Sequence, residues 1–396
     1  MRLFGSNDAQ PPPKENIVRE VVIVDGVRVP IGKAGKDKGY YRDIRGDDLG
    51  AMCVRRLLEK NPKLDPREIE DVVWGCANQT GEQGLNVGRM IGLLSGLPVE
   101  VAGTTIDRQC GSSLQAVNFA AQEIMTGAGE VAIAGGVEHM THVAMGSGIL
   151  PNPKLLEMFP RDMFFMGMTA ERLADMYKIT REQSDAFSLR SNLRAVAARD
   201  RFKEEIVPVK LPDGTLVDVD QGPRAETTME KLAGLKPSFK PDGQVTAGNS
   251  SQLSDGAAAV LLMSAERAKS LGVKPFAKIR ATAVAGVRPE IMGWGPVPST
   301  HKALARAGLK IGDLGLFEIN EAFGAQVLAC NTDLKINEER LNVNGGAIAL
   351  GHPLGCSGAR LVVTLTHEMR RRGVALGVAT MCIGIGQGIA TVIEQV

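Results

Sequence analysis

Thr104-Thr105-Ile106-Asp107-Arg108-Gln109-Cys110-Gly111-Ser112-Ser113 is the stretch on which the reading of this chain turns. A β-branched run gives way to polar residues, a cysteine and Gly-Ser-Ser. Leu114, Val117, Ala120, Ala121 and Ile124 then recur at three- and four-residue spacing, the period of an amphipathic helix. The order is strand, tight turn, cysteine, helix. Cys110 is expected in the first turn of that helix. There, unpaired N–H groups and the helix dipole favour an anion and ease loss of the thiol proton. The plain alternative is a small cysteine buried in a core.

The composition frames the choice. A chain of 396 residues has room for two or three domains. Hydrophobic residues make up 44% and aromatic ones only 4%, so aliphatic side chains and glycine must build the core. That suits packed α/β layers and argues against a single-strand nucleic-acid binder, which needs aromatic platforms. Lys+Arg at 46 against Asp+Glu at 45 leaves no global field to attract DNA or an anionic membrane. Cys53, Cys76, Cys110, Cys330, Cys356 and Cys382 form no CxxC pair, and the five histidines give no zinc spacing, so no metal is expected. So few cysteines in so long a chain form no disulfide framework, and a reducing, cytoplasmic setting is expected. No apolar run reaches the ~18–20 residues of a membrane span. Residues 1–19 are polar with Pro11-Pro12-Pro13 and read as a loose extension, not a signal or transit peptide. The C-terminal Ile393-Glu394-Gln395-Val396 carries no peroxisomal address.

Outward from Cys110 the pattern is α/β. Val21-Val22-Ile23-Val24-Asp25 reads as a strand apolar on both faces, as in a buried parallel sheet. A helix is expected over Asp48–Lys60, an N-cap at Asp65 before Pro66, a strand at Val72–Gly75, a helix over Asn86–Ser95 and a strand at Val131–Gly136. From about residue 140 to 246 the texture changes to methionine, phenylalanine, proline and charge. Thr180 with Gln183 opens a long helix to about Arg201 as a capping box. This stretch reads as an insertion covering a site. Strand and helix signals resume at Ser254–Met263, Ala277–Ala285, Ser299–Ala307, Leu316–Ile319 and Ala322–Thr332.

The halves look related. In the second, Leu341-Asn342-Val343 and a Gly-rich turn lead to Gly355-Cys356-Ser357-Gly358, which opens a helix over Ala359–Arg372. The strand Ala375–Met381 then runs into Cys382. Cys356 thus falls near the place that Cys110 holds. Three further stretches can carry chemistry. Glu318-Ile319-Asn320-Glu321-Ala322-Phe323 sets polar residues where a buried strand opens into a helix, though Asn320 as a helix cap fits equally. Asn344–Gly358 holds His352 among closely spaced glycines, as a base or oxyanion donor would be held, or as a structural histidine. Met381-Cys382-Ile383-Gly384-Ile385-Gly386-Gln387-Gly388 ends a strand in a cysteine and glycines whose N–H groups can face a cavity. Gly388–Ile393 then reads as a closing strand.

Asp107–Ser113, Asn320–Phe323, Asn344–Gly358 and Cys382–Gly388, in this order, resemble the four motifs of the thiolase family, and the resemblance runs from about Val21 to the C-terminus. It implies two duplicated α/β halves layered α-β-α-β-α, over 20–139 with 247–275 and over 276–396, with a loop domain at 140–246 that covers coenzyme A. It implies Cys110 as the acylated nucleophile, His352 as its activator and an oxyanion donor, and Cys382 as acid and base. Asn320 would hold a water at one oxyanion site, and Gly384 N–H would serve the other. It places CoA against Ser251, Arg224, Met166, Phe323 and Met292, as a substrate, with no cofactor. Cys356 becomes structural support for His352, and His139 and His142 are left structural.

Phe165-Met166-Gly167 stands where chain-building thiolases usually carry His-Met-Gly, and Ile383–Gly388 departs from their triple glycine. Both are similar to the degradative type. The expected activity is therefore cleavage of 3-ketoacyl-CoA in fatty-acid β-oxidation. The alternatives are a biosynthetic acetoacetyl-CoA thiolase, a ketoacyl-synthase-like condensing enzyme (disfavoured by Asn320 in place of a second histidine) and a non-catalytic CoA- or lipid-binding protein. A homodimer or dimer of dimers is expected, with a hydratase/dehydrogenase chain as a further partner.

Overall fold

A computed structural model describes residues 18–396. The extension expected over 1–19 lies outside the described residues up to residue 17. The first half runs β1 (Val21–Arg28), α1 (Gly46–Lys60), β2 (Asp71–Gly75), α2 (Val87–Leu94), β3 (Ala102–Ile106), α3 (Ser112–Thr126) and β4 (Val131–His139). Helices α4 (Met166–Tyr177) and α5 (Arg181–Ala197) intervene before β5 (Ser254–Ser264) joins that half's sheet. The second half runs β6 (Ala277–Gly286), α6 (Pro296–Ala307), β7 (Leu316–Ile319), α7 (Gly324–Leu334), α8 (Leu354–Arg372), β8 (Leu376–Ile383) and β9 (Gln387–Gln395).

The duplication is visible in the strand order. The first half pairs β3-β2-β4-β5-β1 and the second pairs β7-β8-β9-β6. In each, parallel strands give way to two antiparallel ones. Leu341 bridges Phe317 in parallel fashion and stands where β3 stands in the first half, but no strand forms there. Asn342 has a left-handed φ of 46° and turns its side chain onto Ile319 instead. β1 is antiparallel to both β5 and β6, not part of a parallel run. Its two apolar faces are explained by layers packed on both sides, which bury a strand whatever its direction.

Strand alternation builds those layers. Val72 and Trp74 face a core with Leu49 and Leu57 of α1 and Ile91 of α2. Val73, between them, faces the opposite core with Leu114 and Val117 of α3, Leu361 and Leu365 of α8, and Met381 and Ile389 of the second sheet. Phe317, Ile319 and Val378 pack outward on Leu304 of α6 and Val327 of α7. The order is helix, sheet, helix, sheet, helix, with α3 and α8 forming the central layer.

The capping box at Thr180 and Gln183 forms as read. Its helix stops at Ala197, and a separate turn covers Arg199–Phe202. α7 starts two residues later than expected, at Gly324. α8 starts five residues earlier, so Gly355-Cys356-Ser357-Gly358 lies inside the helix. Counted back from the glycines that end α3 and α8, Gly127 and Gly373, Cys356 does fall at the place of Cys110. The extra turn of α8 makes Cys356 a buried helical residue.

The two central helices touch through glycine. A Cβ at Gly358 would overlap the backbone nitrogen of Leu114, and one at Gly136 would overlap the carbonyl of Gly355. Overpacking of this kind typically costs about 1–3 kcal/mol. Gly358→Ala is expected to lower stability by at least that amount in urea unfolding. Gly312→Ala, at a site with nothing within 4 Å of an added Cβ, should leave the midpoint unchanged.

Candidate active site

Cys110 is presented by a strained turn. β3 ends at Ile106 and α3 begins at Ser112 with Gly111 as N-cap. Between them Gln109 adopts a left-handed φ of 48°, a conformation that costs a residue with a Cβ. Local hydrogen bonds hold it. Gln109 N–H donates to Asp107 Oδ1 at 2.6 Å, Arg108 N–H to Ser112 Oγ at 2.9 Å, and Ser112 Oγ to the Gln109 carbonyl at 2.6 Å. Cys110 therefore stands one residue outside the N-cap rather than in the first turn. The expected acidic thiol is not what results. Burial pushes the Cys110 thiol up to about 11, against the pull of the N–H groups of Gly384 and of Cys110 itself. Desolvation outweighs the helix terminus.

His352 is fixed from three sides. Its N–H lies 3.1 Å from the Gln252 carbonyl and 3.2 Å from Ser254 Oγ. Its ring Nδ1 is 2.6 Å from Ser357 Oγ, whose own proton goes to the Pro353 carbonyl at 2.9 Å. The hydroxyl must then accept from Nδ1–H, and the neutral ring carries its lone pair on Nε2 (a tautomer assigned from this network). Nε2 faces Asn320 Nδ2 at 3.3 Å. Burial, with the Arg360 cation adding to it, pushes the imidazole down to about 3. His352 is thus a neutral acceptor. Asn320 Oδ1 is buried and has no protein partner.

Asn320 owes its place to its neighbours. Its N–H donates to the Thr380 carbonyl at 3.0 Å, which ties the end of β7 to β8. Glu321 then knits α5 to the second half. Its carboxylate accepts from Ser191 Oγ of α5 at 2.6 Å, Asn342 Nδ2 at 2.8 Å and Ile348 N–H at 3.2 Å.

Cys382 is the penultimate residue of β8 and almost fully buried. Burial, and Cys110 close by, push its thiol well above the ordinary range. It packs in one apolar cluster with Met166, Met292, Ala322 and Phe323. Gly384 follows, and a Cβ there would lie 3.6 Å from Met166 Sδ. Left-handed φ values at Ile385 (63°) and Gly386 (80°) turn the chain back into β9. Cys110, Cys382, Gly384, Met166, Met292 and Phe323 therefore meet. Chain continuity from Phe323 to Asn320 joins them to His352.

The remaining residues read from the sequence lie along a cleft. Arg224 lines a cavity of about 160 Å³ with Lys231, Gly248, Gln252 and Ile348. Ser251 sits between that cavity and the cluster. Its N–H donates to the Ala322 carbonyl at 3.0 Å, and Ser250 bridges Phe323. Sequence reasoning gave no role to Gln252, Ser254, Ser357 or Glu321. Ser357, five residues after His352 at a helix start, carried the only usable signal.

Glu82, His139 and His142 form the one close group of metal-ligand type among the described residues. Every ring nitrogen there is already used. His139 accepts from the His142 N–H and contacts the Tyr41 carbonyl. His142 contacts Glu82 and the Arg42 carbonyl. The arrangement fits a structural role.

A thiol that ionises near pH 11 is alkylated faster at every step upward in pH. Iodoacetamide labelling of Cys110, followed by peptide mass spectrometry, should accelerate about tenfold per pH unit from pH 7 to pH 10. A plateau at or below pH 7 would instead reveal a thiolate held by the helix terminus.

Comparisons with known proteins bear on the family of the whole chain. Residues 21–266 match the family described as thiolase, N-terminal domain, and residues 273–395 the thiolase, C-terminal domain. The chain is 54% identical to a 3-ketoacyl-CoA thiolase of Marinobacter nauticus, over 96% of this chain and 99% of that one. It is 52% identical to a 3-ketoacyl-CoA thiolase of Aeromonas hydrophila, over 96% and 100%. Among solved structures it resembles the Bacillus anthracis acetyl-CoA acetyltransferase, with TM-score 0.88 and 40% identity over 96% of this chain and 100% of that one. Human mitochondrial 3-ketoacyl-CoA thiolase in complex with CoA gives TM-score 0.88 and 39% identity over 96% and 99%. With both domains matched over nearly the whole described chain, this protein belongs to the thiolase family.

Proposed function

We propose that this chain is an acyltransferase that cleaves 3-ketoacyl-CoA with CoA to acetyl-CoA and a shortened acyl-CoA, as a degradative thiolase of fatty-acid β-oxidation. The observation that carries the reading is the meeting of two neutral thiols, Cys110 and Cys382, with a neutral His352 held against Asn320. In the first half-reaction Cys110 Sγ attacks the 3-keto carbon and its proton passes to His352 Nε2. The C2–C3 bond breaks, its electron pair stays on C2 as the acetyl-CoA enolate, and Cys382 protonates that carbon. The acyl group remains on Cys110 as a thioester. In the second, the Cys382 thiolate takes the proton of an incoming CoA thiol, whose sulfur attacks the thioester. Cys110 leaves and recovers its proton from His352. Developing oxyanions fall to His352 with a water on Asn320, and to the N–H groups of Cys110 and Gly384. Each such donor is typically worth about 2.7–4 kcal/mol in the transition state.

Arg224 and Ser251 would line the nucleotide and pantetheine path, while Met166, Met292 and Phe323 supply its apolar end. CoA is a substrate, and no cofactor enters the cycle. The names of the bacterial relatives support the degradative subtype, and so does Phe165-Met166-Gly167 in place of His-Met-Gly. Among the described residues no helix is long and apolar enough to cross a membrane. All six cysteines are free. A cycle that needs free thiols supports a cytoplasmic location. The proposed homodimer joins through β3, which among the described residues pairs only with β2 and leaves its other edge open. Exposed Leu85, Leu93, Leu94 and Phe119 lie on elements beside it or following it. An open edge with apolar neighbours fits a second copy of this chain. A hydratase/dehydrogenase chain is proposed as the further partner, feeding 3-ketoacyl-CoA to this site.

Thiolysis rates across a 3-ketoacyl-CoA chain-length series test the activity. Turnover of long-chain substrates is expected, and activity on acetoacetyl-CoA alone would favour the biosynthetic type. Cys110→Ala should abolish acyl-enzyme seen by mass spectrometry. Cys382→Ala should still be acylated by an acyl-CoA yet fail to cleave the carbon–carbon bond. Equal loss of both steps in Cys382→Ala contradicts the division of labour. Light scattering is expected to report at least twice the 42.1 kDa chain mass, and a monomer would rule out the β3 interface.

A further inference from the structure

Glu138 on β4 is a fully buried carboxylate that the mechanism leaves unused. It points to the same face as Gly136, two residues earlier. That face receives the start of α8, since Gly136 packs directly under the Gly355 carbonyl. The first turn of α8 has free N–H groups, and its N-cap Pro353 supplies no side-chain acceptor. Glu138 Oε2 takes that place, accepting from Gly355 N–H at 2.8 Å. The same oxygen accepts from Ala77 N–H at 3.0 Å. Oε1 accepts from Asn78 N–H at 3.1 Å, Asn78 Nδ2 at 3.0 Å and Gln83 Nε2 at 3.0 Å. Among the described residues no Lys, Arg or His forms an ion pair with Glu138, whereas buried carboxylates are ordinarily paired with a cation.

The donors come from two sides of the site. Gly355 lies three residues after His352. Ala77 and Asn78 follow Cys76, whose N–H donates to the Ile106 carbonyl at the end of the strand that leads to Cys110. We propose that Glu138 is a positioning residue for the thiolase reaction: its carboxylate clamps the base-bearing start of α8 to the segment beside the nucleophile turn and so sets His352 against Cys110. Only an acceptor at both oxygens can hold this set. Glutamine keeps the volume but turns an NH₂ against backbone N–H donors. The charge also reaches Cys110, where it opposes thiolate formation.

This makes turnover and thiol reactivity move in opposite directions. In the full chain, Glu138→Gln is expected to lower kcat at least tenfold with the KM for CoA within twofold of wild type, because Arg224 and its cavity are not touched. Iodoacetamide should alkylate Cys110 at least threefold faster at pH 8. Glu138→Asp keeps two acceptors and should recover part of kcat. Wild-type kcat and alkylation rate in Glu138→Gln would overturn the proposal. So would a fall in kcat matched by the rise in KM for CoA, without recovery in the aspartate variant. If Glu138→Gln does not fold, Glu138→Asp carries the test alone: an intermediate kcat at unchanged KM supports the clamp, and wild-type kcat overturns it. The kinetic arm rests on the thiolase reading. Should the wild type show no thiolysis, that reading fails, while the alkylation rates still decide whether Glu138 acts on Cys110.

Discussion

The close crossing of α3 and α8 is the constraint on which the molecule depends. The two helices fill the layer between the sheets, and their N-terminal ends deliver residues from different halves to one place. The crossing is tight because Gly358 lets Leu114 approach and Gly136 lets Gly355 settle on β4. Protein interiors are close-packed, so a bulge of one methyl at such a point shifts whole elements rather than one side chain. Cys110 and His352 each stand just before one of these helices, so their separation is a property of the packing and not of either segment.

Desolvation then sets the chemistry. Burial pushes Cys110 and Cys382 up and His352 down, and each of these shifts favours the neutral form. The resting site holds neutral groups with one directed lone pair, on His352 Nε2, instead of a preformed ion pair. Charge stays one layer away. The Arg360 guanidinium carries that charge, 3.1 Å from the Glu318 carboxyl that burial pushes up to about 8. Such a site develops charge only as the reaction proceeds, where fixed N–H donors meet it at little reorganisation cost.

The elements and their order were legible because they rest on local rules. Short β-branched and apolar runs marked the strands, three- and four-residue spacing marked the helices, and Thr180 with Gln183 announced a cap that forms as read. The misreadings fell where tertiary contacts override such rules. Leu341-Asn342-Val343 has strand-like residues, yet the Asn342 side chain satisfies Ile319 and bends the segment away from a ladder. β1 looked parallel because it is apolar on both faces, but that pattern reports two covering layers and carries no strand direction. The five residues by which α8 starts early are glycine-rich, and Glu138 from another strand satisfies its first turn.

The sequence by itself determined the family and the duplicated order of elements, because residue type and spacing carry those, and it nominated the reactive groups. Ionisation was beyond its reach. The strand-turn-helix pattern around Cys110 argues for an acidic thiol, and the folded environment makes it a weak acid, since dielectric surroundings are built by residues distant in sequence. The tautomer of His352, fixed by Ser357 and Pro353, and the node at Glu138 were likewise decided only in three dimensions. Both depend on which backbone groups the packed layers leave unpaired and on what then lies within hydrogen-bond reach.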